Sequence, residues 1–459
     1  MIPSSQISDL IDGLEFDVIK TNKKVEYINL PCGFDIETTS YKQEATKTAF
    51  MYIWALGIGH DTGVYYGRTW EEFADVCELL QHKLGLHSER RLVVYVHNLG
   101  YEFQFMRKHF NWLNVFAVGE RKPTKAICDY GIEFRDSYIL SGFSLANTAK
   151  NLVKYKVKKM VGDLDYSLIR THLTPLTELE MQYCENDVAI ITAYISEQID
   201  LYDNVSKIPM TNTGRVRTHV RNECYYTAKS HKKSSKGKYI AYRKIMNDLT
   251  ISIDAYKQLK RAFMGGFTHA NANHSGKTLQ DVSSIDFTSS YPSVMVSEKF
   301  PMSRFKPIEI KTVKQLEEYC AKYCLVFDVK FINFKCKITQ ETYLSESKCG
   351  QISGAVINNG RVVSADEITT TITDADFEIM KQVYSWDDIA IGMARYAHKN
   401  YLPKAIVKSV LDLYQNKTQL KDVVGSEVEY MLSKGMLNSI YGMCVTDIVK
   451  DNAVYGEDW

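Results

Sequence analysis

Short runs of β-forming residues alternate with helical stretches through residues 30–200 of this 459-residue chain. This order is typical of an α/β domain, in which helices pack on a sheet. We therefore predict an α/β fold for the N-terminal part of the chain. The predicted elements are strands at 27–34, 50–58, 63–66, 91–96 and 131–138, and helices at 70–84 and near 144–152.

A long helix is predicted from the Thr174-Pro175 pair to about Tyr202, because threonine can cap a helix and proline suits its first position. The next stretch, 205–245, is basic and poor in clear periodicity, which predicts a connection between domains. The remaining predicted elements are a helix-to-strand turn at 263–267, a strand end at 284–286, mixed strand and helix over 303–395, and helices at 404–420 and 425–441.

The composition is ordinary for a globular protein, with 45% hydrophobic and 24% charged residues. No apolar run approaches the roughly 20 residues that cross a bilayer and no signal peptide is recognisable, so we expect a cytoplasmic protein without a membrane partner. Ten scattered cysteines favour reduced thiols over disulfides or zinc. Because the net charge is only +1, any binding of nucleic acid would depend on local clusters of basic residues, such as Arg215, Arg217 and Arg221. A solvated linker is the simpler explanation of that cluster alone.

The segment GFDIETT at 33–39 places Asp35 and Glu37 two residues apart on a predicted strand. Side chains two apart on a strand project from the same face. The pair therefore offers neighbouring carboxylate ligands that suit Mg²⁺ or Mn²⁺. Taken alone, a surface pair on an edge strand is the commoner explanation of this pattern.

The segment HNLGYEF at 97–103 follows a β run, so Glu102 could add a third carboxylate just beyond a strand end. Asn98 would then be a polar contact, and Tyr101 a stacking platform for a splayed 3′ nucleotide. An ordinary strand-to-helix turn explains this segment equally well on its own.

The segment YCENDVAI at 183–190 places Tyr183 and Asp187 four residues apart, hence on one face of the predicted helix. Asp187 could complete the metal set, and Tyr183 could orient the attacking water. A buried tyrosine with an exposed aspartate is the simpler explanation of this pair alone. The ordered set of three segments favours a two-metal 3′→5′ exonuclease, in which carboxylates hold ions about 4 Å apart.

Two later segments point to a nucleotide site. DFTSSYP at 286–292 places Asp286 at a predicted strand end, where a carboxylate can bridge two metals, and the turn that follows can hold triphosphate oxygens. In KGMLNSIYG, Lys434, Asn438 and Tyr441 share one helical stripe. That stripe offers a cation for a triphosphate, a polar contact and an aromatic platform for a base.

These segments closely resemble the three exonuclease motifs and the polymerase motifs A and B of family-B DNA polymerases. The resemblance implies a ribonuclease-H-like α/β exonuclease domain, followed by an α+β partial palm and helical fingers. It also implies that Tyr183 positions the water, and that Tyr291 excludes a ribose 2′-hydroxyl. The metal ligands implied by the resemblance are Asp35, Glu37, Glu102 and Asp187 in the exonuclease site and Asp286 in the polymerase site. Glu102 departs from the family, which usually has aspartate there.

Three further DNA contacts are implied by the same resemblance. Ser144-Leu145 is similar to the family's Ser/Thr-Leu primer-strand contact, with Asp136-Ser137 as the alternative. Gly265-Gly266 is similar to the Tyr-x-Gly-Gly element that binds template, with the tyrosine either replaced by Met264 or displaced. Family members also carry a lysine before a GDxDY segment. VGDLDY at 161–166 follows Lys158 and Lys159, and the sequence leaves open which lysine corresponds.

The chain is most similar to the protein-primed phage subgroup, in which an insertion between motifs A and B contacts a terminal protein. The implied organisation is an exonuclease domain at 1–205, a linker and palm start at 206–302, that insertion at 303–395, and fingers at 396–459. No Tyr-x-Asp segment follows Gly442, so we expect motif C and the thumb to come from a longer product or a second chain. The expected partners are DNA, deoxynucleoside triphosphates and a terminal protein. The alternatives are a stand-alone exonuclease and a non-catalytic subunit that binds DNA or terminal protein.

Overall fold

The computed structural model describes residues 1–43, 46–160, 167–226, 236–270, 274–338, 342–449 and 455–456. They divide into two compact units. The first comprises Met1–His219 with Asp412–Trp459, and the second is Val220–Leu411. The four-segment organisation implied by the sequence stays a prediction.

The first unit is built on one mixed sheet. Its strands are β1 (Ile2–Pro3), β2 (Val18–Lys20), β3 (Glu26–Ile28), β4 (Cys32–Gln43), β5 (Thr46–Ile58), β6 (Val64–Gly67), β7 (Arg90–Val96), β8 (Trp112–Ala117), β9 (Pro123–Cys128) and β10 (Ile132–Asp136). The strand order is β1-β6-β5-β4-β7-β10-β9-β8, with β3 pairing parallel to β7 and β2 pairing with β3. Strand β4 pairs antiparallel with β5 and parallel with β7, so it lies in the middle of the sheet.

The helices of the first unit that begin within residues 1–219 are α1 (Ile7–Gly13), α2 (Trp70–Leu84), α3 (Leu99–Met106), α4 (Ser137–Ser141), α5 (Leu145–Lys150), α6 (Glu178–Tyr202) and α7 (Asn212–Tyr225), the last of which extends into the second unit. Helix α2 has the predicted bounds. It begins with a reciprocal capping pair, Thr69 and Glu72, and ends at Gly85, whose φ of 61° is in the left-handed region that glycine favours.

The long helix begins three residues later than predicted. Its N-cap is Thr177, whose Oγ1 accepts a hydrogen bond from the Glu180 amide while Glu180 Oε2 accepts one from the Thr177 amide at 2.7 Å. This reciprocal pair satisfies two backbone donors at the helix start. Thr174 instead accepts a hydrogen bond from the Thr171 amide in the preceding turn.

The main core lies between the sheet and helices α1, α2 and α3. Alternation along β4 buries Phe34 and Ile36 in this core, so Asp35 and Glu37 project from the opposite face. Helix α6 packs on that opposite face. Gly33 permits the close approach, because a Cβ there would lie 3.0 Å from the Ile191 side chain.

The second unit contains an antiparallel sheet with strand order β11-β18-β13-β16-β14. Its strands are β11 (Phe300–Pro301), β12 (Lys306–Ile308), β13 (Tyr323–Cys336), β14 (Cys349–Ser353), β15 (Val356–Asn358), β16 (Arg361–Thr373), β17 (Tyr384–Ser385) and β18 (Asp388–Asn400). Its helices are α8 (Lys236–Asp248), α9 (Ile253–Ala262), α10 (Ser290–Ser297), α11 (Val313–Lys322) and α12 (Asp374–Val383). Helix α13 (Lys404–Gln419) begins in this unit, and α14 (Glu427–Cys444) belongs to the first.

The stretch predicted as a connection between domains, 205–245, contains the boundary between the two units, at residues 219 and 220. It is predicted to lack clear periodicity, but its described part includes α7 and most of α8, and Val216, Val220 and Cys224 form a buried stripe on α7. Two other predictions about the middle of the chain are wrong. Residues 282–287 form neither helix nor strand, so Asp286 does not end a strand. The described residues 263–270, after α9, also contain no strand. Within the described residues, no helix has the length and apolar character needed to cross a membrane.

Candidate metal centre

Three carboxylates converge where α6 packs on β4. One oxygen from each of Asp35, Glu37 and Asp187 lies within 4.8 Å of the others. The strand supplies the first two from one face, and the third turn of the helix supplies Asp187. The group can hold a divalent cation, since carboxylate oxygens are the ligands that hard cations prefer.

The three carboxylates repel one another. Burial, followed by repulsion from Glu37, Glu102 and Asp187, raises the pKa of Asp35 well above its usual range. Burial and the charge of Asp187 raise the pKa of Glu37 to about 7. Burial also raises the pKa of Asp187, although a hydrogen bond from Lys159 opposes the change. A bound cation would relieve this repulsion, so the electrostatics of the site fit a metal.

Glu102 lies next to this group without being one of the three. It is in the first turn of α3, is 4% exposed, and its Oε2 has no hydrogen-bond partner among the described residues. Burial raises the pKa of Glu102 well above its usual range, and the charges of Asp136 and Glu37 add to the effect. A buried carboxylate oxygen without a partner is costly, and a cation beside Asp35 would supply what it lacks.

Lys159 is the lysine that the structure brings to the site. Its Nζ forms an ion pair with Asp187 and lies 4.0 Å from the centre of the Tyr183 ring. Lys158 is exposed. Residues 161–166, which contain the VGDLDY segment, lie outside the described residues.

Sequence reasoning missed Asn186, which holds the lysine segment in place. Its Oδ1 accepts a hydrogen bond from the Met160 amide at 2.8 Å, and its Nδ2 donates to the Lys158 carbonyl at 2.9 Å. These bonds fix the backbone on both sides of Lys159 against α6. The only signal in the sequence for this role was that an amide residue directly precedes Asp187.

The polar and aromatic residues of the second motif lie at the start of α3. Asn98 is exposed and adopts a φ of 88° before the helix. Tyr101 is 44% exposed, and its hydroxyl shares a hydrogen bond with Thr38, next to Glu37. This hydrogen bond connects the exposed ring to the residue that follows Glu37 on β4.

The structure separates the two candidates for a primer-strand contact. Both oxygens of Asp136 are engaged, with the Leu99 amide at 2.9 Å and the Ile139 amide at 2.7 Å. Ser137 is buried and donates to the Val96 carbonyl. Ser144 is exposed and caps α5 through a 3.4 Å hydrogen bond, and Leu145 is half-buried beside it. Ser144-Leu145 is therefore the accessible pair of the two.

The motif B residues lie on α14, in the first unit. Asn438 is exposed, whereas Lys434 and Tyr441 are half-buried. Lys434 Nζ lies 5.9 Å from the centre of the Tyr430 ring. Ser439 accepts a hydrogen bond from Asn212 on α7 at 2.8 Å.

The motif A residues lie in the second unit. Asp286 is exposed, and Tyr291 is the second residue of α10. A Cβ on Gly266 would lie 2.8 Å from the Tyr291 hydroxyl, so the glycine leaves room for that ring. Gly265 faces open space. The structure thus brings together two of the predicted residues, Gly266 and Tyr291.

A family model described as DNA polymerase type B, organellar and viral, matches residues 155–458 of the chain. This match covers more than half of the sequence. The chain belongs to this family. The matched residues include α6, α10 and α14, and thus Asp187, Tyr291 and Lys434.

Curated relatives in the family include the DNA polymerases of Bacillus phage Nf and Bacillus phage M2. Each is 22% identical over 437 residues, a match that covers 89% of this chain and 66% of the relative. The chain therefore spans slightly less than two thirds of the length of these relatives.

Solved structures of phi29 DNA polymerase share the fold. The complex with primer–template DNA superposes with a TM-score of 0.65 at 16% identity, covering 90% of this chain and 67% of that one. The complex with single-stranded DNA gives a TM-score of 0.63 at 18% identity, with the same coverage. The mixed α/β architecture is thus shared with phi29 DNA polymerase.

Proposed function

We propose that the chain carries a metal-dependent 3′→5′ exonuclease that proofreads for a DNA-directed DNA polymerase of the protein-primed phage type. The convergence of Asp35, Glu37 and Asp187 within 4.8 Å carries the proposal, in a chain of the type B polymerase family. In this proposal the sheet of the first unit with α6 is the ribonuclease-H-like exonuclease. Residues 206–302 begin the palm, residues 303–395 contact a terminal protein, and residues 396–459 are the fingers.

In the exonuclease site, Asp35, Glu37 and Asp187 would hold Mg²⁺ or Mn²⁺, with Glu102 beside them. Two such ions, when bound, supply an activated water and stabilise the charge that develops on the phosphate. Tyr183 and Lys159 lie against each other at 4.0 Å, so the lysine can hold the phenol in place to orient that water.

The remaining exonuclease residues position the DNA strand. The exposed ring of Tyr101 can stack on a splayed 3′ base, and Asn98 can contact its sugar or phosphate. Ser144 and Leu145 can hold the backbone of the frayed primer strand. The phi29 structure that contains single-stranded DNA supports this assignment, since the fold is shared.

In the polymerase half, Asp286 would bind the metal of the nucleotidyl-transfer site. Tyr291 would lie under the deoxyribose, while Gly265 and Gly266 contact the template. The stripe of Lys434, Asn438 and Tyr441 would bind the incoming deoxynucleoside triphosphate. A longer product or a second chain would supply motif C and the thumb.

A 5′-labelled primer annealed to a longer template tests the proposal, with Mg²⁺ and with or without deoxynucleoside triphosphates. We expect shortening from the 3′ end without the triphosphates. Lengthening when they are present would show that this chain polymerises without a partner. A primer whose length never changes would favour the non-catalytic alternative. Shortening under every condition is the result expected of an exonuclease whose polymerase half needs the missing motif C and thumb.

We expect Lys159→Ala to lower the rate of primer shortening about 100-fold, because it removes the only cation paired with Asp187 in the described residues. Lys159→Arg should recover part of the rate. Lys158→Ala is the matched control, since the adjacent lysine is exposed and only its backbone carbonyl is held. Equal losses in Lys158→Ala and Lys159→Ala would show that the lysine segment acts only through general charge.

Without a metal, we expect Glu37→Gln to melt about 2–4 °C above the wild-type chain at pH 7.5, a shift that corresponds to about 1 kcal/mol. The folded-state pKa of Glu37 rises from 4.5 to about 7, so the folded state binds the proton more tightly than the unfolded state. The wild-type chain therefore loses stability as the pH rises from about 4.5 to 7. Glu37→Gln has no carboxyl group at this position to titrate, so it does not undergo this loss. Melting in EDTA across this range measures the difference.

Mg²⁺ should reverse the order of the two melting temperatures, so that the wild-type chain melts above Glu37→Gln. The wild-type chain is expected to gain stability with Mg²⁺ because the cation neutralises the carboxylates, whereas Glu37→Gln gains little. A variant that melts below wild type in EDTA at pH 7.5 would show that the three carboxylates do not repel one another.

A further inference from the structure

Helix α8 carries an exposed basic and apolar face that the polymerase and exonuclease motifs leave unused. Its thirteen residues contain four cations, at 236, 238, 243 and 244, against a single acid, Asp248. Three large apolar side chains on it are also exposed: Tyr239 at 41%, Ile240 at 54% and Met246 at 53%. Exposed apolar side chains interleaved with cations suit a partner that offers both negative charge and flat apolar surface.

The spacing arranges these side chains in two parallel rows. Arg243 follows Tyr239 by four residues, and Lys244 follows Ile240 by four, so these two exposed apolar residues each have a cation one turn further along the helix. Within the described part of the chain, no carboxylate pairs with Arg243 or Lys244, and both are exposed. Their charges are therefore available to a ligand.

Neighbouring elements of the second unit hold the helix rigidly. The Ala405 amide at the start of α13 donates to the Tyr242 hydroxyl at 3.0 Å, and Arg304 donates to the Asn247 carbonyl at 2.9 Å. The ring of Tyr239 packs edge-on against Tyr225, with 5.1 Å between their centroids. A pre-positioned ring and a fixed helix lose little entropy when a ligand binds.

We propose that this face of α8 is a binding surface for single-stranded DNA. Arg243 and Lys244 would neutralise successive phosphates. The ring of Tyr239 and the apolar side chains of Ile240 and Met246 would contact unstacked bases. A duplex keeps its bases stacked inside and presents phosphates to such a surface, so it would leave the apolar side chains unmatched. The choice of DNA as the ligand rests on the proposed function.

Fluorescence anisotropy with a 5′-labelled 20-nucleotide oligo(dT), in EDTA to prevent cleavage, tests the surface in the full chain. Tyr239→Ala should weaken binding about 5- to 100-fold through the loss of one stacked base, and Tyr239→Phe should bind like wild type. The double variant Arg243→Ala/Lys244→Ala should also weaken binding, and should reduce the slope of log K against log salt by about 1.4. The matched control is Lys311→Ala/Lys314→Ala, which removes two exposed lysines near α11 and should change nothing.

Wild-type affinity in Tyr239→Ala and in the double variant would overturn the proposal. So would an equal loss of affinity for a 20-base-pair duplex, because a surface that senses only phosphates cannot distinguish the two. Retained oligo(dT) binding together with lost binding to a protein partner would assign the face to that protein. Hydrolysis of a labelled trinucleotide with Mg²⁺ keeps the two proposals apart, since the α8 variants should cleave it normally and only a failed exonuclease would leave it intact.

Discussion

Asp35→Ala is expected to lower the rate of primer shortening by about three orders of magnitude. Asp35 shares its surroundings with Glu37, Glu102 and Asp187, all of which raise its pKa, so it is the carboxylate most closely coupled to the rest of the site. Its removal takes one oxygen from the group of three and leaves a cation with fewer protein ligands. Single-turnover cleavage of a 5′-labelled strand with Mg²⁺ measures the loss.

Asp75→Ala provides the control for this prediction. Asp75 is exposed on α2 of the same unit, so the variant loses the same side chain without touching the group of three carboxylates. We expect it to shorten the primer at the wild-type rate. If Asp35→Ala shortens the primer as fast as Asp75→Ala does, the three carboxylates are not the catalytic centre and a different group must cleave the strand.

Periodicity predicts the local part of this site well. The two-residue period of a strand places Asp35 and Glu37 on one face, and both lie in the group of three carboxylates. The bounds of α2 also follow from its capping pair and the terminal glycine. These features depend on neighbours within a few residues, which a single sequence contains.

Contacts between distant segments are harder to predict. The approach of α6 to β4 depends on Gly33, because a side chain there would meet Ile191, a residue 158 positions further along the chain. Lys159 reaches Asp187 only because Asn186 fixes its backbone from α6. No periodic pattern connects such residues, so the sequence left the lysine unassigned.

Other errors came from signals that were present in the sequence. The pattern Thr-x-x-Glu occurs at Thr177 and Glu180, and it marks a helix start more strongly than the Thr174-Pro175 pair does. The buried stripe of α7 is also regular, but it is short and lies among arginines that suggest a linker. In both cases the prediction followed the weaker of two local signals: the Thr174-Pro175 pair for the start of α6, and the arginines for α7.

Phe34→Ala is expected to lower the free energy of unfolding of the first unit by about 3–5 kcal/mol, a large part of the usual 5–15 kcal/mol of a domain. Phe34 is fully buried, with its ring centre 4.6 Å from that of Phe73 and 6.1 Å from that of Phe134. The substitution leaves a cavity in the core, on the face of β4 opposite to Asp35. Equilibrium unfolding in guanidinium chloride measures the change through the shift in midpoint.

Phe116→Ala is the matched control, because Phe116 is 52% exposed on the edge strand β8 and its truncation creates no buried cavity. This variant should lower the free energy of unfolding by less than about 1 kcal/mol. The free energy of unfolding of Phe34→Leu should lie between those of the two variants, since leucine fills most of the space.

Phe34 and Asp35 are neighbours on opposite faces of β4, so damage to the core should also affect the site. We therefore expect Phe34→Ala to lose Mg²⁺-dependent stabilisation at temperatures where wild type retains it. Equal unfolding midpoints for Phe34→Ala and Phe116→Ala would show that β4 is not anchored by its buried face, and that the position of Asp35 has another origin.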